Sequence, residues 1–123
     1  MKKTALFVSL VLGFLAIVFS GAALKRADAA GNNPKAGHTV HVNSCQRCHG
    51  PQGRGDGPAG KLLKTKPADW TDKRKMSALS DNQLYAIISG GGGAIGKSTL
   101  MPAFKGKLSE AQIWDVIAFI RSL

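Results

Sequence analysis

Cys45-Gln46-Arg47-Cys48-His49 gathers two thiols and an imidazole into five consecutive residues, and these are the only two cysteines of the 123-residue chain. Thiols three positions apart on a helical turn can reach two vinyl groups on one edge of a porphyrin, and the adjacent imidazole can then face the iron. C-x-x-C-H at this spacing is the signature of c-type haem attachment. Three other chemistries use paired cysteines. A thioredoxin-like redox pair expects a βαβ setting, which the flanking residues do not supply. Half of a zinc site needs further ligands, and only scattered histidines remain. A plain disulfide suits an oxidising compartment but leaves His49 without a role. The adjacent histidine and the helical, exported character of the chain favour haem.

A second motif competes for attention. Gly91-Gly92-Gly93-Ala94-Ile95-Gly96-Lys97-Ser98 matches G-x-x-x-x-G-K-[ST]. A phosphate-binding loop requires a strand before it and a helix after it, so that its amides converge on phosphate oxygens. Leu84–Ile88 could pass for that strand, but Pro102 lies four residues after Ser98 and would break the helix. The reading is therefore against a nucleotide site, and the glycines are expected to give freedom to a loop.

Around these motifs the chain reads as all-α. Asn32-Asn33-Pro34 is a helix start, an asparagine cap with proline in the first turn, and the helix should run through Val40 and Val42 toward Cys45. Gly50 to Lys75 is rich in Gly, Pro and Lys and should be mostly loop, with one helical turn around Gly60–Lys64. Ser80 with Gln83 and Ser109 with Gln112 each make a capping box. Leu79 with Leu84 and Leu108 with Ile113 stand at hydrophobic-staple spacing across the same two starts. The first of these helices should stop at Gly90. The second carries Ile113, Val116, Ile117 and Ile120 on one face. Three to four helices with long loops are expected, too few to close a core without a cofactor.

The amino terminus sets the compartment. Lys2 and Lys3 precede an apolar run from Ala5 to Val18, and Ala27-Asp28-Ala29 offers small residues at both sites flanking a signal-peptidase cut. Residues 1–29 are read as a signal peptide, and 30–123 as a single mono-haem domain. The alternative is an uncleaved anchor, since the apolar run can span a bilayer with tilt. No cysteine near residues 20–30 offers a site for lipid attachment. The whole chain carries a formal charge of +10. Residues 30–123, with 13 basic and 6 acidic side chains, carry +7. A basic surface in an exported protein suggests an acidic protein partner or anionic headgroups. Nucleic acid is disfavoured, because the lysines do not alternate with aromatics.

Taken together, Cys45-Gln46-Arg47-Cys48-His49, Gly57-Pro58-Ala59, Met101-Pro102 and the ending Ile117-Ala118-Phe119-Ile120 resemble the class I cytochrome c family, in particular its short bacterial periplasmic members. The resemblance spans about residues 34–123. It implies an all-α cytochrome c fold with crossed amino- and carboxy-terminal helices and one covalent haem c. It further implies thioether links at Cys45 and Cys48, His49 as proximal and Met101 as distal iron ligand, and a Pro58 carbonyl that accepts from His49. That last bond would fix the tautomer of His49 and strengthen it as a ligand.

The methionines bear on the distal ligand chemically. Besides Met1, only Met76 and Met101 are present. Met101 follows an irregular glycine-rich stretch and precedes a proline, whereas Met76 sits beside Lys73-Arg74-Lys75. A thioether ligand closes the iron to exogenous ligands and suits electron transfer. Gly37 and Phe119 fit the crossing pair of the two helices. His41 departs from the family, which commonly has an aromatic there. His38 and His41 are read as surface or helix-contact residues.

The function so implied is periplasmic electron transport, one electron at a time between redox protein partners, without enzyme activity. A membrane location follows only if the leader is retained. Lys61, Lys64, Lys66, Lys97, Lys105 and Lys107 fall on loops that could border an exposed haem edge.

Overall fold

The computed structural model describes residues 31–123; the leader expected over 1–29 lies outside the described residues. Five α-helical segments follow in order: α1 (Pro34–Ser44), α2 (Gln46–His49), α3 (Lys73–Ser77), α4 (Asp81–Gly90) and α5 (Glu110–Ser122). Single 3-10 turns lie at Gly60–Leu62 and Gly92–Ile95. The only β feature among the described residues is an isolated bridge between Lys105 and Leu108. No described helix is long and apolar enough to cross a membrane.

The starts of the three long helices are where side-chain chemistry puts them. Asn33 Oδ1 accepts from the Lys35 and Ala36 amides at 3.0 and 3.2 Å. Ser80 and Gln83 exchange bonds of 3.2 and 2.8 Å, and Ser109 and Gln112 bonds of 3.2 and 2.9 Å, so both capping boxes are complete. Each such cap contributes about 1 kcal/mol. Helix α4 stops at Gly90 as expected. Ile113, Val116, Ile117 and Ile120 are all at most 2% exposed, so the stripe on α5 is the centre of the core.

The loop expected from Gly50 to Lys75 ends early. Helix α3 begins inside it, with Asp72 Oδ1 accepting from the Lys75 amide at 3.2 Å. Its five residues are too few to show a period, and its one buried side chain is Met76. Three long helices and two single-turn segments make five, against the three to four expected.

Helix α1 packs mainly on α5. The two backbones come close at Gly37, where a β-carbon would strike the Asp115 carbonyl and lie 2.9 Å from Phe119 Cβ. Glycine is required here by contact between backbones, and the expected Gly37–Phe119 crossing is formed. The Asn33 amide donates to Asp115 Oδ1 at 2.8 Å and fixes the register of the two helices. Arg121 ties the other end of α5 down. Its Nε donates to Asp81 Oδ1 at 2.8 Å, Nη1 to the Met76 carbonyl at 2.6 Å, and Nη2 to the Leu79 carbonyl.

Of the two readings of His41, surface or helix contact, the structure takes the second: the residue is wholly enclosed at this crossing. Its ring lies 5.0 Å from Phe119 and 5.4 Å edge-on from Trp70, and neither ring nitrogen has a hydrogen-bond partner. Unpartnered buried polar groups cost about 1–3 kcal/mol each. His41→Phe is therefore expected to raise stability by about 1–2 kcal/mol, and the melting temperature by roughly 4–8 °C per kcal/mol. Burial holds the His41 pKa below its ordinary 6.5; the nearby Gly50 backbone, too poorly aligned to form a hydrogen bond, opposes this, and the charge of His38 adds to the lowering. As the pH falls below 6.5 the unfolded chain takes up this proton before the folded one does, so His41 lowers stability progressively on acidification. Thermal melts of both proteins from pH 7.5 to 5 check this: the gap between them must widen toward acid. A constant gap would show that His41 does not titrate between the two states.

Candidate haem site

Cys45 is the hinge between α1 and α2: it caps the first helix and starts the second. One turn of helix then carries Cys48 and His49. Neither cysteine is in a disulfide, and both are half-buried. Burial, with the neighbouring Cys48 thiol second, pushes the Cys45 thiol up to about 11. A dithiol redox centre needs a nucleophile lowered toward neutrality, and Cys45 is shifted the opposite way. Among the described residues no cluster of three or more Cys, His, Asp or Glu side chains is arranged to hold a metal ion, so a zinc half-site has no completing ligands.

The loop after the motif folds back on α2 and takes up its terminal carbonyls. The Gly55 amide donates to His49 O at 2.7 Å, Gly57 to Cys48 O at 3.2 Å, and Ala59 to Arg47 O at 2.9 Å. The Gly57-Pro58-Ala59 segment is thus held alongside the motif helix, with Pro58 itself exposed. His49 is 9% exposed, and burial lowers its pKa to about 4, which favours the neutral imidazole a metal requires. Its Nδ1 is buried without a hydrogen-bond partner. The bond to the Pro58 carbonyl that the resemblance implies is not made in this structure. The ring instead lies flat on Trp70, 4.1 Å between centroids and 22° between planes. Trp70 is a contact that residue types alone did not single out. Its signal was faint: one aromatic in a polar loop, buried to 6% exposure.

Met101 and Met76 are placed in different surroundings. Met76 is buried at 5% exposure and belongs to the core with Trp70 and Ile120, while Lys73 and Arg121 line the same cleft. Met101 is half-buried on an irregular segment that packs against the core from outside. That segment is bonded to the end of α4: the Phe104 amide donates to Ile88 O at 3.1 Å and Lys105 to Ser89 O at 3.0 Å.

Gly91–Ser98 takes neither the strand before it nor the helix after it that phosphate binding demands. It follows helix α4 and forms a 3-10 turn. Its amides are committed within the loop and to the Met101 segment: Gly92 to Met101 O at 3.0 Å, Gly96 to Gly93 O at 3.2 Å, and Lys97 to Gly92 O at 2.9 Å. They do not converge on a common point.

Two free thiols and a buried, neutral histidine on one helical turn form a donor set suited to covalent haem and its iron. The model of the cytochrome c family matches residues 34–123, the whole of the described domain apart from its first three residues. The chain belongs to the cytochrome c family. Cytochrome c6 of Picosynechococcus sp. is 34% identical to it over 125 aligned positions, which cover 98% of this chain and 92% of that one. As a member of the family the chain is a haem-based electron carrier with one covalently attached haem c, and its all-α architecture is that of the family. The spacing of the cysteine pair at 45 and 48 fits that covalent attachment, and Leu62 and Leu100, 86% and 66% exposed, are apolar side chains that the polypeptide does not itself cover.

Proposed function

We propose that this protein is a periplasmic one-electron carrier whose iron is held by His49 and Met101, that it catalyses no reaction of its own, and that it docks on acidic redox partners. The observation that carries the reading is the separation of the two methionines: Met76 is a core residue, while Met101 lies on a tethered segment at the surface of the core. When bound, haem supplies a ferric/ferrous couple. The work of the polypeptide is to keep that centre closed and presented. Cys45 and Cys48 would hold the haem covalently. The neutral imidazole of His49 would be one protein donor to the iron, with the Pro58 carbonyl available to accept its Nδ1 proton. The thioether of Met101 would be the other and would bar exogenous ligands.

The partner reading rests on charge. Lys61, Lys64, Lys66, Lys97, Lys105 and Lys107 are all exposed. The ion pairs among the described residues, Lys75–Asp72 and Arg121–Asp81, involve none of them. Unneutralised surface cations steer an acidic partner over a screening length of about 8 Å at physiological ionic strength. An uncleaved leader would place the same domain on the outer face of the membrane.

One stopped-flow experiment tests the proposal. Oxidation of the ferrous protein by its native partner, followed across a salt series, is expected to slow as salt rises, chiefly through association. Carbon monoxide in the same series should leave the rate unchanged. A flat or rising salt profile removes the acidic partner. Inhibition by carbon monoxide would reassign the protein to the haem sensors or peroxidase-like enzymes, whose sixth site is open.

A further inference from the structure

We propose that Gly91 and Gly92 are positioning residues for Met101, and that the glycine run resembling a phosphate loop is the seat of the distal ligand segment. The proposal rests on the reading of Met101 as an iron ligand. Its basis is close approach between backbones. Gly91 has φ +76°, a conformation that side chains rarely adopt, and a β-carbon there would lie 2.8 Å from the Met101 carbonyl oxygen and 2.7 Å from the Ala103 nitrogen. At Gly92 a β-carbon would strike the Ser98 carbonyl and come within 3.3 Å of Met101 Cβ. The Ser98 carbonyl is itself the acceptor for the Met101 amide at 3.3 Å, and the Gly92 amide donates to the Met101 carbonyl at 3.0 Å. Both polar groups of the Met101 backbone are therefore set by the surface that Gly91 and Gly92 leave bare. Gly91 in turn is anchored to the last turn of α4, where its amide donates to Ile87 O at 2.9 Å. Two hydrogen bonds, joined through the covalent Gly91–Gly92 link, thus connect a core helix to the thioether residue.

The other glycines of the run do not share this role. A β-carbon at Gly93 would meet only Thr99 Cγ2, at 3.3 Å, and one at Gly96 would meet nothing within 4 Å. Loop flexibility in general would make the glycines equivalent. A phosphate loop would instead make Gly96 and Lys97 the sensitive positions. Close packing under Met101 makes Gly91 and Gly92 sensitive and leaves Gly93 and Lys97 tolerant.

The test uses the haem-loaded protein and Gly92→Ala, Gly93→Ala, Lys97→Ala and Met101→Ala variants. The readouts are the weak far-red absorption band of methionine-bound ferric haem and the affinity for added imidazole. Gly92→Ala is expected to weaken the band and to bind imidazole about tenfold more tightly, since a backbone overlap must be relieved by moving the Met101 segment. Gly93→Ala and Lys97→Ala should match the unaltered protein in band and in imidazole affinity, neither of which reports partner encounter. If Met101→Ala keeps the band, the ligand reading itself fails. If Met101→Ala loses it while Gly92→Ala keeps both band and imidazole affinity, the ligand reading stands and this proposal is overturned. Equal damage from Gly93→Ala overturns it as well. Should Gly92→Ala fail to fold, amide hydrogen exchange on the unaltered protein decides: the Gly92 amide must be protected, and exchange as fast as at an exposed loop amide rejects the seat.

Discussion

The double variant Cys45→Ala/Cys48→Ala is expected to lose all covalently bound haem. A thioether needs a sulfur, and these are the only cysteine sulfurs in the chain. Both thiols are free and stand one helical turn apart, with the protonated Cys45 thiol kept from acting as a ready redox nucleophile. Acid–acetone extraction, or haem staining after a denaturing gel, gives the readout. Each single variant should retain some covalent haem through the remaining sulfur, which makes the double change decisive. The effect on folding should also be large. The described domain is small, and apolar side chains such as Leu62 and Leu100 are left in solvent by the polypeptide. A domain of this size relies on an additional staple for stability. A full-intensity haem band from the double variant would falsify the attachment site.

Met101→Ala and Met76→Ala are expected to separate chemistry from stability. Removing the Met101 thioether opens the sixth coordination position, so the ferrous protein should bind carbon monoxide. The reduction potential should fall, because methionine opposite histidine raises it. Global stability should change little by comparison, since Met101 is only partly buried. Met76→Ala should leave the spectrum, the potential and carbon monoxide reactivity as they were. Its cost is a core cavity, about 2–5 kcal/mol for a buried methionine, read from denaturant titration. The opposite pattern, ligand changes from Met76→Ala and none from Met101→Ala, transfers the iron ligand to Met76 and undoes the argument from burial.

What residue order alone disclosed about this protein was local. The haem motif was legible because its three reactive groups lie within five residues, and no long-range contact is needed to bring them together. The helix starts at Asn33, Ser80 and Ser109 were legible because a cap is a bond across three residues or fewer. The buried face of α5 was legible because four branched side chains recur at the helical period. Class, cofactor and family all follow from signals of this kind, joined with the resemblance.

Tertiary structure decided everything that depends on residues far apart in the chain. Whether Met76 is a core side chain or an exposed ligand candidate turns on Trp70 and Ile120, 6 and 44 positions away, and its lysine-rich neighbours pointed elsewhere. His41 is polar by type, yet α5 and Trp70 enclose it, because the helix crossing at Gly37 leaves no path to water. The α3–α4 junction brings two carbonyls and a carboxylate to the single guanidinium of Arg121, acceptors that lie 40 to 45 positions away in the chain. The glycine run is the sharpest case. Its letters match a phosphate loop, but a motif specifies amides without specifying where they point. Packing against Met101–Ala103 turned those amides inward, and the same residues that spell a nucleotide site became the bed of a methionine.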